Sequence, residues 1–141
     1  MSELIRKYDV CGDDFSRAGE ASGAIKRTLK DLGFRPEVIR RVAIATYEAE
    51  INMVIHANGG VITATITPEL ISVEFADHGP GIPDISLAMQ EGWSTATDDV
   101  RNLGFGAGMG LPNINKNVDK FDIQTREGVG TTLKIDVKAQ Q

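Results

Sequence analysis

Glycine stands at every second position from Gly104 to Gly110, in the run Gly104-Phe-Gly106-Ala-Gly108-Met-Gly110-Leu111. Such a run does not persist inside a helix or strand, because glycine loses the most backbone freedom on ordering and brings no side chain to pack. Phe105 and Met109 inside it, with Leu103 and Leu111 at its flanks, can anchor it on a core, which a free linker does not need. The reading left is a loop whose backbone N–H groups can turn toward one anion, with a helix starting near Gly110 adding the positive end of its dipole. Two common phosphate signatures are excluded. No Gly-x4-Gly-Lys-Ser/Thr occurs, and the run neither follows a first strand directly nor has an acidic residue at the dinucleotide-binding distance.

Two other stretches carry chemistry. Asp77-His-Gly79-Pro-Gly81 follows the strand-like Ile71-Ser-Val-Glu-Phe-Ala76. A carboxylate ending a strand can accept a hydrogen bond from an exocyclic amine such as that of adenine, and Gly79 and Gly81 let backbone approach a flat ligand. The same residues also suit a plain turn. Upstream, Glu48, Asn52 and His56 are spaced by four, which stacks them on one helix face beside the small Ala45 and Ala49. There a carboxamide oxygen can ligate Mg²⁺ and a carboxylate can take the proton of an attacking hydroxyl. A polar stripe on a half-exposed helix has the same pattern. Glu50, two residues from Glu48, falls on a different face and is set aside as the base. His56 reads as a structural hydrogen-bonder. Thr131 shares an inward face with Leu133, Ile135 and Val137, either as a hydroxyl near a base or as an ordinary strand-start threonine.

The 141 residues fit one domain with one core, and 41% hydrophobic with 25% charged residues is ordinary for a soluble protein. Net charge is −5, and Lys26-Arg27 and Arg40-Arg41 are isolated pairs, so the footprint of a general nucleic-acid binder is missing. No apolar run reaches the length of a membrane span, and the N-terminus lacks a signal-peptide core. The single Cys11 reads as a small residue at a strand end; it excludes an internal disulfide and fits a reducing compartment. These features point to a cytoplasmic protein.

Periodicity predicts a strand over Leu4 to Val10 and a helix capped by Asp13, Asp14 or Ser16. That helix carries Ala18, Ala21, Ile25, Leu29 and Leu32 inward and ends at Gly33. A second helix runs from Pro36 to about Ala57, burying Val38, Val42, Ala45 and Ala49. Asn58-Gly59-Gly60 reads as a turn, and Val61 to Thr67 and Leu70 to Ala76 as a hairpin. Residues 83–108 form a long connection with a short helix over Pro83 to Gln90. A helix restarts near Gly110 and ends by Lys120, before strands over Phe121 to Arg126 and Thr131 to Val137 joined by the turn Glu127 to Gly130. The fold class is α+β: a two-layer sandwich of a mixed, mostly antiparallel sheet with about three helices on one face.

Taken in order, Glu48-x3-Asn52, Asp77-x-Gly79-x-Gly81, Gly106-x-Gly108-x-Gly110-Leu111 and Gly130-Thr131 resemble the nucleotide-site motifs of the GHKL ATPase/kinase superfamily. Its members include gyrase, mismatch-repair ATPases and sensor histidine kinases. The resemblance covers the chain from residue 36 onward. The stretch Asp77 to Thr95 is most similar to the anti-sigma-factor-type serine/threonine kinases, the switch kinases of bacterial partner-switching systems. Ala96 to Leu103, with Asp98-Asp99 inside it, lengthens the lid relative to them.

The resemblance implies the Bergerat ATP-binding fold, ATP and Mg²⁺ as cofactors, and a lid over 83–108. It implies Glu48 as catalytic base and Asn52 as the Mg²⁺ ligand. It implies ATP binding by Asn52, Asp77, Gly79, Gly81, Ile82, Gly106, Gly108, Met109, Gly110, Leu111 and Thr131. The implied partner is a small serine- or threonine-presenting regulatory domain resembling an anti-sigma antagonist, with a sigma factor or other regulator as a further partner and a homodimer compatible with the family. The expected function is therefore an ATP-dependent protein serine/threonine kinase. The alternative is a non-catalytic module that senses ATP against ADP and sequesters a partner. A gyrase- or mismatch-repair-type ATPase would need further domains, and a histidine kinase a preceding dimerising hairpin.

Overall fold

The hairpin expected from the alternation around Pro68-Glu69 is the centre of the molecule. In a computed structural model, β2 (Gly59–Ile66) and β3 (Leu70–Asp77) pair antiparallel with Ile66 opposite Ile71. Their turn is closed by the Thr67 N–H donating to the Leu70 carbonyl at 2.9 Å and the Leu70 N–H donating to Thr67 Oγ1 at 3.0 Å. The structure describes residues 3–11, 17–56, 59–77, 110–126 and 130–139. The expected caps Asp13, Asp14 and Ser16, the 83–108 connection with its Pro83 to Gln90 helix, and the turn residues 127–129 lie outside them.

The other described elements are β1 (Leu4–Cys11), α1 (Glu20–Asp31), α2 (Pro36–His56), α3 (Gly110–Asn117), β4 (Lys120–Arg126) and β5 (Gly130–Lys138). The sheet order is β1-β2-β3-β5-β4, and all four pairings are antiparallel. The expectation of a mixed sheet thus resolves into an antiparallel one. Partners directly across a pair share a face, so register builds apolar rows. Ile62, Phe75 and Leu133 form one, Ala64, Val73 and Ile135 the next, and Ile66, Ile71 and Val137 the third. Ile25 and Leu29 of α1, Val42 and Ala45 of α2 and Ile114 of α3 complete that core, all fully buried. Each side chain of that size contributes roughly 1.5–3 kcal/mol by leaving water. Between the rows, Lys7, Glu74 and Lys134 point to the solvated face.

Two local expectations are corrected. Gly59 and Gly60 do not turn but open β2, opposite Cys11 and Val10 of β1. The first helix begins at Glu20, so Ala18 precedes it, and Leu32 is its C-cap residue, 53% exposed rather than inward. Past Asp31 the chain leaves the helical path through Gly33, which has a φ of 83°, so Leu32 no longer shares the inward stripe of Ile25 and Leu29. The reason for the late start lies on α2. Gly19, the N-cap residue, takes a left-handed φ of 97° and supplies no side-chain cap. Instead the buried Glu50 carboxylate accepts the N–H groups of Gly19 at 3.0 Å, Ala21 at 3.2 Å and Ser22 at 2.9 Å. A carboxylate at a helix N-terminus meets both the orphan donors and the dipole.

Candidate nucleotide site

α2 is amphipathic in an unusual way: one stripe is apolar and seals the sheet, while a second faces α3 with Arg41, Ala45, Glu48 and Asn52. The spacings of four, three and four keep these residues on one side. α3 packs along this stripe. Pro112 in its first turn fits the fixed φ of a helix start, and Ile114 anchors it in the core. Its far end is clamped, since Arg41 Nε donates to the Asn117 carbonyl at 3.0 Å and the Arg41 guanidinium pairs with Asp119 at 3.1 Å. Asp119 in turn accepts the Lys138 N–H at 2.7 Å, which ties the clamp to β5. That N–H, with lesser help from Arg41, holds the Asp119 carboxyl below the usual aspartate range.

Glu48 is half-buried on the side of α2 that packs against α3. Burial pushes its carboxyl above the ordinary glutamate range, and the Asn113 side chain of α3 pulls partly the other way. A carboxylate whose affinity for a proton is raised is better suited to take one near neutral pH. Asn52, one turn on, is also half-buried. Among the described residues no group of three His, Cys, Asp or Glu side chains could hold a metal. The Asn52 carboxamide oxygen is a hard donor of the kind that Mg²⁺ takes beside phosphate oxygens.

Asp77 is the last residue of β3, opposite Gly60. Its Oδ1 accepts the Thr131 N–H at 3.1 Å, so the start of β5 braces the carboxylate. Thr131 is half-buried rather than fully inward. A Cβ on Gly60 would lie 2.2 Å from the Ala76 carbonyl oxygen, 2.7 Å from Met53 Cε and 3.0 Å from Asp77 Cα. Met53, the neighbour of Asn52, and Asp77 thus close on the same glycine. That contact sets the C-terminal half of α2, after Asn52, against the end of β3. Gly110 opens α3, with Leu111 its second residue. Gly79, Gly81, Ile82, Gly106, Gly108 and Met109 lie outside the described residues.

The chain was next compared with known proteins. Residues 14–137 match the family described as Histidine kinase-like ATPase domain. The chain belongs to that family. As an ATPase domain it binds ATP. It is 30% identical over 113 residues to the serine/threonine-protein kinase RsbT of Bacillus subtilis, covering 77% of this chain and 79% of that protein. It is 33% identical over 104 residues to the anti-sigma F factor of Caldanaerobacter subterraneus subsp. tengcongensis, covering 70% and 69%. The crystal structure of the RsbU and RsbW domains of Rv1364c from Mycobacterium tuberculosis superposes over the whole chain and 34% of its own length, with a TM-score of 0.62 at 15% identity, which supports the fold.

Three residues of this site escaped the sequence reading. Gly60 was hidden in a Gly-Gly pair that looks like a turn, although a glycine opening an alternating strand can also signal close backbone approach. Asn113 carries no signal of its own, because Leu-Pro-Asn-Ile reads only as a helix start. Glu50 was set aside as a base, and its role as a cap was missed because its partners are about thirty residues away in sequence.

Proposed function

We propose that this chain is an ATP-dependent protein serine/threonine kinase that phosphorylates a small regulatory partner in a partner-switching system. The observation that carries this reading is the row on α2, with a half-buried carboxylate of raised proton affinity one turn before a carboxamide, on the helix that meets the end of β3 at Gly60. The likeness to RsbT and to anti-sigma F factors supports the activity and the class of partner, an antagonist-like domain presenting serine or threonine and, beyond it, a sigma factor. Among the described residues no helix is long and apolar enough to cross a membrane.

In this mechanism Asp77, held by the Thr131 N–H, accepts a hydrogen bond from the adenine amine. The glycine run and the first turn of α3 offer N–H groups to the phosphates, with Gly110 at the helix start. Asn52 would hold Mg²⁺, which when bound neutralises charge on the phosphate oxygens. Glu48 accepts the proton of the partner hydroxyl as its oxygen bonds to the γ-phosphorus and the bond to ADP breaks. The test incubates the chain with radiolabelled ATP, Mg²⁺ and the antagonist-type domains of the same genome. Label on a serine or threonine of one domain, lost in Glu48→Gln while ATP binding survives, is the expected result. ATP binding without transfer to any of them would leave the nucleotide-sensing module as the function.

A further inference from the structure

α3 is short: Gly110–Asn117 is eight residues, about 12 Å from end to end. A helix of that length is marginal alone and takes its position from what it packs against. Pro112 and Ile114 are buried, but apolar contact is non-directional and leaves tilt loosely set. Arg41 of α2 supplies the direction. Its Nε donates to the Asn117 carbonyl, at the last residue of α3, at 3.0 Å, while its Nη2 pairs with Asp119 at 3.1 Å. Asp119 is itself fixed by β5: its carboxylate accepts the Lys138 N–H at 2.7 Å, and its own N–H donates to the Asp136 carbonyl at 2.9 Å. The Arg41 side chain, 17% exposed, therefore bridges α2, the end of α3 and the sheet. A planar fork of donors sets orientation as well as distance, and a cation at the last carbonyls of a helix meets the negative end of its dipole. Seven residues on from Arg41, the Glu48 carboxyl feels the Asn113 side chain, one turn nearer the start of α3. The two helices thus lie antiparallel, with the Gly110 end of α3 toward Glu48 and Asn52.

We propose that Arg41 is a positioning residue for phosphotransfer: by gripping the far end of α3 it sets the tilt at which the Gly110 end of that helix faces Glu48 and Asn52. The lever arm is the helix itself. Over about 12 Å, a tilt of about 5° moves the Gly110 end by about 1 Å, and a misplacement of that size costs on the order of a hundredfold in rate. ATP affinity is summed over adenine and phosphate contacts, so it suffers less than transfer, which needs one geometry. The inference rests on the proposed phosphotransfer through Glu48, with phosphates held at the start of α3.

The experiment compares the full-length wild type with Arg41→Lys, Arg41→Met and Glu48→Gln. Amide hydrogen exchange over 110–117 reads the seating of α3, a fluorescent ATP analogue reads affinity, and thermal melting reads the fold. Transfer is read by single-turnover labelling of the antagonist-type domain that the wild type phosphorylates, at saturating ATP and well below each melting temperature, where a merely less stable protein would transfer normally. Arg41→Lys keeps the charge but loses the planar fork, so it separates orientation from charge. Expected for both Arg41 variants is exchange faster by about tenfold within α3 and unchanged in the sheet. Transfer should slow by about tenfold to a hundredfold, with ATP affinity within about threefold of wild type. Wild-type transfer in both variants, with Glu48→Gln dead, overturns the positioning role and leaves the base assignment standing. Full rescue by Arg41→Lys overturns it too, because charge alone would then suffice, and so does a loss confined to ATP affinity. If the wild type labels no domain, or Glu48→Gln transfers normally, the functional reading has failed and the inference falls with it, whatever the exchange in α3.

Discussion

Glu50 offers the sharpest test of how this fold is held. Its carboxylate is 2% exposed and accepts three N–H groups at the start of α1, those of Ala21 and Ser22 being buried. Glu50→Ala leaves those donors without their acceptor. Orphaning a buried donor costs about 1–3 kcal/mol, and the lost charge at the dipole's positive end adds about 0.3–2 kcal/mol. With two buried donors these ranges add to about 2–8 kcal/mol, and a value of about 3–5 kcal/mol near the middle is a large share of the roughly 5–15 kcal/mol by which domains are stable. Since α1 contributes Ile25 and Leu29 to the core, the loss should spread through the whole fold. Urea unfolding followed by circular dichroism should show a lower midpoint, and heating a melting point lower by about 10–20 °C. Glu50→Gln keeps one acceptor oxygen and should lose roughly half as much. A loss below about 1 kcal/mol for Glu50→Ala would refute the capping argument, because it would mean that the three donors need no acceptor. Glu48→Gln, two residues away, is the contrast: it should abolish transfer and leave stability equal or higher.

The remaining predictions concern pH and close packing. Burial raises the Glu48 carboxyl, so the acid limb of the phosphotransfer rate should lie above the ordinary glutamate range; a limb at or below that range would contradict its role as a buried base. In stability terms, a raised folded-state value favours the protonated form, so Glu48's contribution is present at acid pH and lost as pH rises through that value. Glu48→Gln should therefore gain on the wild type in urea midpoints as pH increases. Asp119 works with the opposite sign: its lowered carboxyl stabilises the fold above the unfolded value, and that contribution is lost as pH falls through the folded one. Because the Lys138 N–H is the largest single cause, an Arg41→Met variant should weaken this acid sensitivity without abolishing it, which acid titration by circular dichroism can check. Gly60→Ala forces a Cβ to 2.2 Å from the Ala76 carbonyl oxygen; it should cost about 1–3 kcal/mol, and weakened binding of a fluorescent ATP analogue is its second expected effect.

How far the site could be foreseen depended on how its residues are spaced. Glu48 and Asn52 are one helical turn apart, so four residues of sequence fix their shared face. Asp77 ends a strand whose alternation is plain from Ile71 onward. The glycine run can be read because its composition forbids a helix or strand interior. In contrast, Gly60 looked like a turn because the steric demand on it comes from Ala76 and Met53, which reach it only when β3 and α2 pack. Leu32 looked inward because the helical period was extended past the point where Gly33 turns the chain away.

By itself, then, the order of amino acids determined the helix periods, the hairpin, the positions of the strands and the three motifs that resemble a nucleotide site. Each of these is a local regularity carried by backbone geometry and side-chain type over a few turns or pleats. Only the tertiary structure decided that Glu50 would cap α1 and that Arg41 and Asp119 would clamp α3. Those partners lie tens of residues apart along the chain. A hydrogen bond is made only where packing brings donor and acceptor within about 3 Å, so no periodicity in the sequence announces it.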